Sequence, residues 1–262
     1  MIPALAQRTG RLQPSLFSLE DMTAEAIDFL RQHEPQEGYF VGFSGGKDSI
    51  VTEALCRMAG VKYAAYYSAT GIDAPEVVRF IRQHYPQVQW LRPKMSFWEG
   101  IRKKSPPLRM MRWCCDVLKK EPSKHIPLSR RVMGIRAEES ARRANRGRIS
   151  EFSPNVQYKP IFHWQEWHVW AFIEEYALPY PCLYDEGFNR IGCVICPFLM
   201  SENMARVEIH KARWPAYYRL FEKAVSDWFA NYRTQPRENQ QATPEAYLAA
   251  YYRGGGFMDE VR

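Results

Sequence analysis

Six consecutive residues, Ser44-Gly45-Gly46-Lys47-Asp48-Ser49, restrict the fold more than any other stretch of the chain. An apolar run from Tyr39 to Phe43 leads into them, and a helical pattern from Asp48 to Met58 leads away. The stretch therefore reads as a turn from a strand into a helix N-terminus. Two glycines let the backbone adopt positive φ and approach another group closely. The unpaired N–H groups of the helix's first turn, and the positive end of its dipole, attract an anion. Lys47 adds a point charge, and Ser44 and Ser49 add hydroxyl donors. The spacing is not that of a Walker A loop, which needs four residues between its first glycine and the Gly-Lys pair. A phosphate-cradling strand–loop–helix implies an α/β sheet.

The remaining pattern agrees. Leu19 to His33 is helical, with Met22, Ala26, Phe29 and Leu30 on one face and Ser18 and Asp21 forming a box-like cap. Apolar runs at Val61–Tyr67, Val88–Leu91 and Arg131–Ile135 read as strands, with a helix at Ala74–Tyr85. Such alternation predicts βαβ units in a Rossmann-like parallel sheet with helices on both faces. Residues 136–160 are charged and read as an irregular loop. Gln165–Tyr176 is helical, with Trp164, Trp167 and Trp170 around its start, at least two of them expected to bury against the sheet. Beyond Cys196 a helical extension is expected: Glu202–Tyr232 with a restart at Pro215, a polar linker from Thr234 to Thr243, a short helix and Gly254-Gly255-Gly256. The expected division is an N-terminal arm and helix (1–37), a nucleotide-binding domain (38–200) and a helical C-terminal extension (201–262).

Composition excludes several classes. A 46% hydrophobic fraction over 262 residues supplies a core and rules out general disorder. No apolar run is long enough for a membrane span, and Met1–Arg11 has no secretory h-region, so a cytoplasmic protein is expected. The formal charge is +7, compatible with a polyanionic partner. Arg102, Lys103, Lys104, Arg109 and Arg112 form its densest basic stretch, suited to a phosphate backbone. In a reducing compartment the six cysteines are expected to serve metal or redox chemistry rather than disulfides. Cys193-Val194-Ile195-Cys196 is a metal-clamp spacing, and Cys114-Cys115 supplies two more thiols; a metal group or reduced core thiols both satisfy the pattern. Cys56 reads as a buried thiol, and Cys182 as a core residue or, if exposed, a persulfide carrier.

Ser44–Ser49 is similar to the signature of the PP-loop ATP pyrophosphatases, in the branch that contains the phosphoadenosine-phosphosulfate (PAPS) reductases. Thr70-Gly71-Ile72-Asp73 with Pro75-Glu76 resembles that family's second strand-end segment. Gly134-Ile135-Arg136, with Glu138, Glu139, Ser140, Arg142 and Arg143, resembles its nucleotide and substrate segment, and Pro160 with Trp164–Trp170 its following helix. The resemblance implies an adenine nucleotide alpha-hydrolase fold and an ATP site drawn from Ser44, Gly45, Gly46, Lys47, Asp48, Ser49, Thr70, Gly71, Asp73, Arg136, Glu139, Ser140 and Arg143. Lys47, Asp48 and Ser49 would be catalytic, with Asp48 or Asp73 helping to hold Mg2+. The cysteine pattern resembles that of adenylyl-sulfate reductases and implies a 4Fe–4S cluster on Cys114, Cys115, Cys193 and Cys196, with a structural zinc or free thiols as the alternatives. One departure stands out: residues 200–262 contain no cysteine where sulfonucleotide reductases carry their nucleophile. What remains is similar to the ATP-pyrophosphatase/sulfurtransferase components of Dnd- and Ssp-type DNA phosphorothioation systems. That likeness implies adenylation of a DNA phosphate, replacement of a non-bridging oxygen by sulfur, and as partners DNA, a cysteine desulfurase and other components of a DNA-modification system. PAPS or adenylyl-sulfate reduction and ATP-dependent tRNA thiolation are the alternative expectations.

Overall fold

Strand β1, Tyr39–Gly42, is buried from Tyr39 through Val41, as a central strand covered on both faces must be. The structure, a computed structural model, describes residues 18–202, 204–231 and 243–253. The chain divides into two compact units. One comprises residues 18–67, Pro75–Trp90 and His125–Ile191; the other comprises Ser68–Ala74, Leu91–Lys124 and the described residues from Gly192 onward.

In the first unit, β1 pairs in parallel with β2 (Tyr63–Ser68) on one side and with β4 (Arg130–Met133) on the other. Beyond β2 lies β3 (Gln89–Leu91). Beyond β4 lie β6 (Asn155–Tyr158), parallel to it, and β5 (Ile149–Phe152), antiparallel to β6. The order is β3-β2-β1-β4-β6-β5. The chain thus leaves β1 toward one edge and later returns on its other flank. That reversal opens a crevice outside the C-terminal ends of β1 and β4, the ligand position of open α/β sheets.

The local causes are direct. Ser18 Oγ accepts from the Asp21 N–H at 3.0 Å and the Ser18 N–H donates back to Asp21 at 3.1 Å, so the shorter Asp closes the capping box at the head of Leu19–Gln32. Ala26, Phe29 and Leu30 are buried, while Met22 is half-buried. The helix Lys47–Ala59 buries Ile50, Val51, Leu55 and Cys56 completely, each apolar side chain contributing about 1.5–3 kcal/mol. It ends at Gly60, in the left-handed conformation. Trp164 and Trp170 are buried and Trp167 is half-exposed.

The segment 136–160 departs from the expected loop. It contains a 3-10 turn (Ala137–Glu139), a helical turn (Ala141–Ala144) and the β5–β6 hairpin. These strands bury little, with only Tyr158 of β6 buried, so no apolar run announced them. The sheet is consequently mixed rather than wholly parallel. The buried Lys159 ammonium pins the hairpin by donating to Gly147 O at 2.7 Å and Ser150 Oγ at 2.8 Å, and desolvation lowers its pKa.

The second unit is helical where described. Phe97–Lys104 is N-capped by Ser96, and Phe97 stacks near Trp113 and Phe221. The next segment is split into Trp113–Cys115, a π-helical turn (Asp116–Lys120) and a 3-10 turn (Glu121–Ser123). Pro197–Glu202, Met204–Arg213, Pro215–Asn231 and Pro244–Tyr252 follow, with the restart at Pro215 as expected. The expected arm 1–17, most of the polar linker and Gly254–Gly256 lie outside the described residues. Among the described residues no helix is long and apolar enough to cross a membrane.

Gly134, at the end of β4, lies against the helix that follows β1: a Cβ there would sit 2.6 Å from the Asp48 carbonyl oxygen. Gly134→Ala is expected to lower unfolding free energy by about 1–3 kcal/mol in chemical denaturation, the cost of overpacking against backbone.

Candidate functional site

The loop after β1 is shaped by its own side chains. Gly45 has φ of +73°, and a Cβ there would lie 2.9 Å from Val77, so both conformation and space require glycine. Ser49 is buried; its hydroxyl donates to Gly46 O at 2.8 Å and accepts the Ser44 N–H at 3.1 Å. Ser44 Oγ donates to Ser49 Oγ at 3.2 Å. The Ser49 hydroxyl, expected to face an anion, therefore braces the loop. The Lys47 N–H donates to the Tyr184 hydroxyl at 2.9 Å.

Lys47 is buried, and its ammonium lies 3.2 Å from Glu166 Oε1, 3.6 Å from Asp48 Oδ2 and 3.3 Å from Asn189 O. Asp48 Oδ1 accepts from Arg136 Nε at 2.6 Å. Arg136, also buried, pairs with Glu138 as well. The Glu139 carboxylate accepts the Arg136 N–H at 3.1 Å and pairs with Arg143, whose N–H Ser140 caps at 3.3 Å. The crevice thus gathers Lys47, Asp48 and Arg136, with Glu139, Ser140 and Arg143 on the adjoining turn. Its cations are held by carboxylates that a bound phosphate would displace or share. His168 accepts the Gln165 N–H at Nδ1 (2.9 Å), and burial lowers its pKa, keeping the ring neutral.

Thr70, Gly71 and Asp73 belong to the second unit. The Asp73 carboxylate accepts the Thr70 N–H at 3.1 Å and the Thr70 hydroxyl at 2.8 Å, so it closes its own loop. The Asp73 carbonyl accepts from the Tyr217 hydroxyl at 3.1 Å. A single antiparallel bridge joins Asp73 to Cys193, and the Cys193 thiol lies 3.8 Å from Asp73 Oδ1.

Cys114, Cys115, Cys193 and Cys196 all lie in that second unit, as free thiols. Cys114 and Cys115 share a hydrogen bond that lowers the pKa of Cys115 and raises that of Cys114. Burial pushes Cys193 up to about 12 against the opposing pull of Lys119, whose own pKa the Cys193 thiolate raises. Cys193 and Cys196 also act electrostatically on Cys114. Four thiols are, by residue type, the donor set that a tetrathiolate metal group takes. Among the described residues, however, no three His, Cys, Asp or Glu side chains converge as metal ligands do. The expected ready-made clamp is corrected to that extent: Cys114 and Cys115 bond each other, and Cys193 bonds Lys119 and Asp73. Cys56 is buried as expected; Cys182 is exposed, 3.8 Å from Glu186.

Residues 38–199 match the phosphoadenosine phosphosulfate reductase domain. The chain belongs to that family. It is 31% identical over 228 residues to an uncharacterized protein of Methanocaldococcus jannaschii, a match covering 80% of this chain and 46% of that protein. It is 29% identical over 213 residues to the adenosine 5'-phosphosulfate reductase of Allochromatium vinosum, covering 72% and 80% respectively. The chain spans about half the length of the two Methanocaldococcus jannaschii relatives it matches. The crystal structure of the Candida auris PAPS reductase superposes with a TM-score of 0.52 at 19% identity, covering 70% of this chain and 98% of that one, and supports the fold.

Tyr184, Glu166 and the Asn189 carbonyl were not singled out from the sequence, and no motif marks them. The Tyr184→Phe substitution leaves the Lys47 N–H without its acceptor. It is expected to cost about 1–3 kcal/mol of unfolding free energy, measured by denaturant titration.

Proposed function

We propose that this PAPS reductase family member is an ATP pyrophosphatase/sulfurtransferase that activates a DNA backbone phosphate for exchange of a non-bridging oxygen for sulfur. The observation that carries this reading is the buried Lys47 at the head of a glycine-turned helix, beside Asp48 and Arg136. That arrangement suits the pyrophosphate end of a nucleotide. In the proposed reaction a DNA phosphate oxygen attacks the α-phosphorus of ATP; the new O–P bond forms as the bond to pyrophosphate breaks. A cysteine desulfurase delivers the sulfur as a persulfide. A thiol reductant, itself oxidised to a disulfide, releases it as hydrosulfide, which attacks the DNA phosphorus as AMP leaves with the electron pair and the proton passes to solvent.

Lys47 neutralises the departing pyrophosphate, and Arg136 orients Asp48 through its Nε–H. Mg2+ brought with the nucleotide would add charge neutralisation, with Asp48 as its holder. The four cysteines have the chemistry to hold a 4Fe–4S cluster, which when bound supplies electron storage or a cross-link. A second reading, sulfonucleotide reduction, is favoured by the reductase names of the relatives from Allochromatium vinosum and Gloeobacter violaceus.

The purified chain is expected to release pyrophosphate from ATP when given DNA, and Lys47→Ala to slow this roughly 100-fold or more. Phosphorothioate dinucleotides in nuclease-digested cellular DNA should vanish on deletion and return with wild type but not with Lys47→Ala. Unchanged dinucleotides would remove DNA as the acceptor, and label in tRNA would move it there. Sulfite release from PAPS or adenylyl sulfate with a thiol reductant would instead establish the second reading. Anaerobic preparations are expected to carry about four iron and four labile sulfide per chain, lost when the four cysteines become serine. Stoichiometric zinc in their place would overturn the cluster.

A further inference from the structure

The positive charge of the chain is concentrated in a short stretch. From Arg102 to Lys120 stand seven lysines or arginines against one acid, Asp116, a formal +6 of the chain's +7. Arg102, Lys103 and Lys104 form the exposed last turn of Phe97–Lys104, with Lys103 paired to Glu99 at 2.6 Å. The guanidinium groups of Arg109 and Arg112 lie over the Phe198 ring, 5.4 and 4.7 Å from its centre. Between these arginines Met110 is 79% exposed and Met111 47% exposed. Scattered exposed apolar residues are ordinary, but two adjacent methionines bracketed by arginines form a contiguous amphipathic strip.

The strip is also braced. Trp113 Nε1–H donates to Ser105 O at 2.9 Å, and its ring fills the space over Gly100, where a Cβ would meet it at 2.1 Å. The Tyr251 hydroxyl donates to Pro107 O at 2.7 Å, and Leu108 is buried. The exposed residues are therefore displayed from an anchored backbone, with their ordering cost already met.

We propose that Arg102–Arg112 is a docking strip for nucleic acid: its cations engage phosphodiester oxygens while Met110 and Met111 press against sugars or bases. Charge complementarity selects a polyanion, and flexible thioethers suit irregular apolar surfaces such as an opened base step. The choice of DNA as the first polymer rests on the function proposed above; the strip itself recognises the chemistry that DNA and RNA share.

The test is fluorescence anisotropy of labelled DNA and RNA oligonucleotides with the full chain across a salt series, with pyrophosphate release from ATP measured alongside. Arg102→Glu with Lys104→Glu should weaken binding roughly tenfold or more and reduce the salt slope by about two. Met110→Ala with Met111→Ala should weaken binding roughly tenfold with the slope unchanged. Arg219→Glu with Lys223→Glu, exposed residues elsewhere in the same unit, changes net charge equally and should leave binding near wild type. If wild type binds DNA and the strip variants bind equally well, or the control pair loses as much, the strip is overturned while the DNA reading stands. RNA binding without DNA binding, lost in the strip variants, supports the strip and overturns DNA as the acceptor. If wild type binds neither polymer, both fall.

Discussion

The ion pair between Arg136 and Asp48 is the contact on which the crevice at the ends of β1 and β4 depends. Arg136 is buried, and a buried guanidinium without a partner costs several kcal/mol. Its hydrogen bond to Asp48 ties the end of β4 to the first turn after β1, the two strands that flank the reversal in sheet order. Gly134 permits the approach by leaving room for the Asp48 carbonyl. The same carboxylate reaches toward Lys47, so the group that fixes the fold at this point also sets the charge presented to a ligand. Structure and chemistry share one residue here.

Much of this was legible in the sequence because it rests on local rules. The Gly-Gly turn before a helix, the capping box at Ser18 and the restart at Pro215 each follow from short-range backbone preference. The hairpin Ile149–Tyr158 was missed because β6, though paired on both sides, buries only Tyr158, and β5 forms the sheet's edge, so neither strand carries an apolar run. The bracing role of the Ser49 hydroxyl was not legible for a different reason. A hydroxyl beside an anion cradle has two outlets, and only the closed loop shows that the Gly46 carbonyl takes it. Tyr184 and Glu166 reach Lys47 from more than a hundred residues away, a separation no spacing rule covers.

The segment after β2 illustrates how a family motif changes its local duties. Thr70 and Asp73, expected at the nucleotide site, also close a tight turn whose end is bridged to Cys193. The aspartate thereby raises the cost of ionising that thiol, whereas Lys119 lowers it. Opposed charges around a cysteine set its readiness to become a thiolate, the form that binds metals. The cysteine neighbourhood is thus tuned by residues from three separate stretches of chain.

That segmentation has a consequence for synthesis. The second unit is assembled from Ser68–Ala74, Leu91–Lys124 and residues from Gly192 onward, interrupted by the strands of the first. On the ribosome Cys115 precedes Cys193 by 78 positions. At roughly 5–20 residues per second the earlier pair waits about 4–15 s for the later one. Until then Cys114 and Cys115 stand without the other two thiols, as adjacent cysteines open to oxidation in the nascent chain. Any group spanning all four sulfurs can be installed only after that interval, which makes its delivery a late, timed event in the life of the polypeptide.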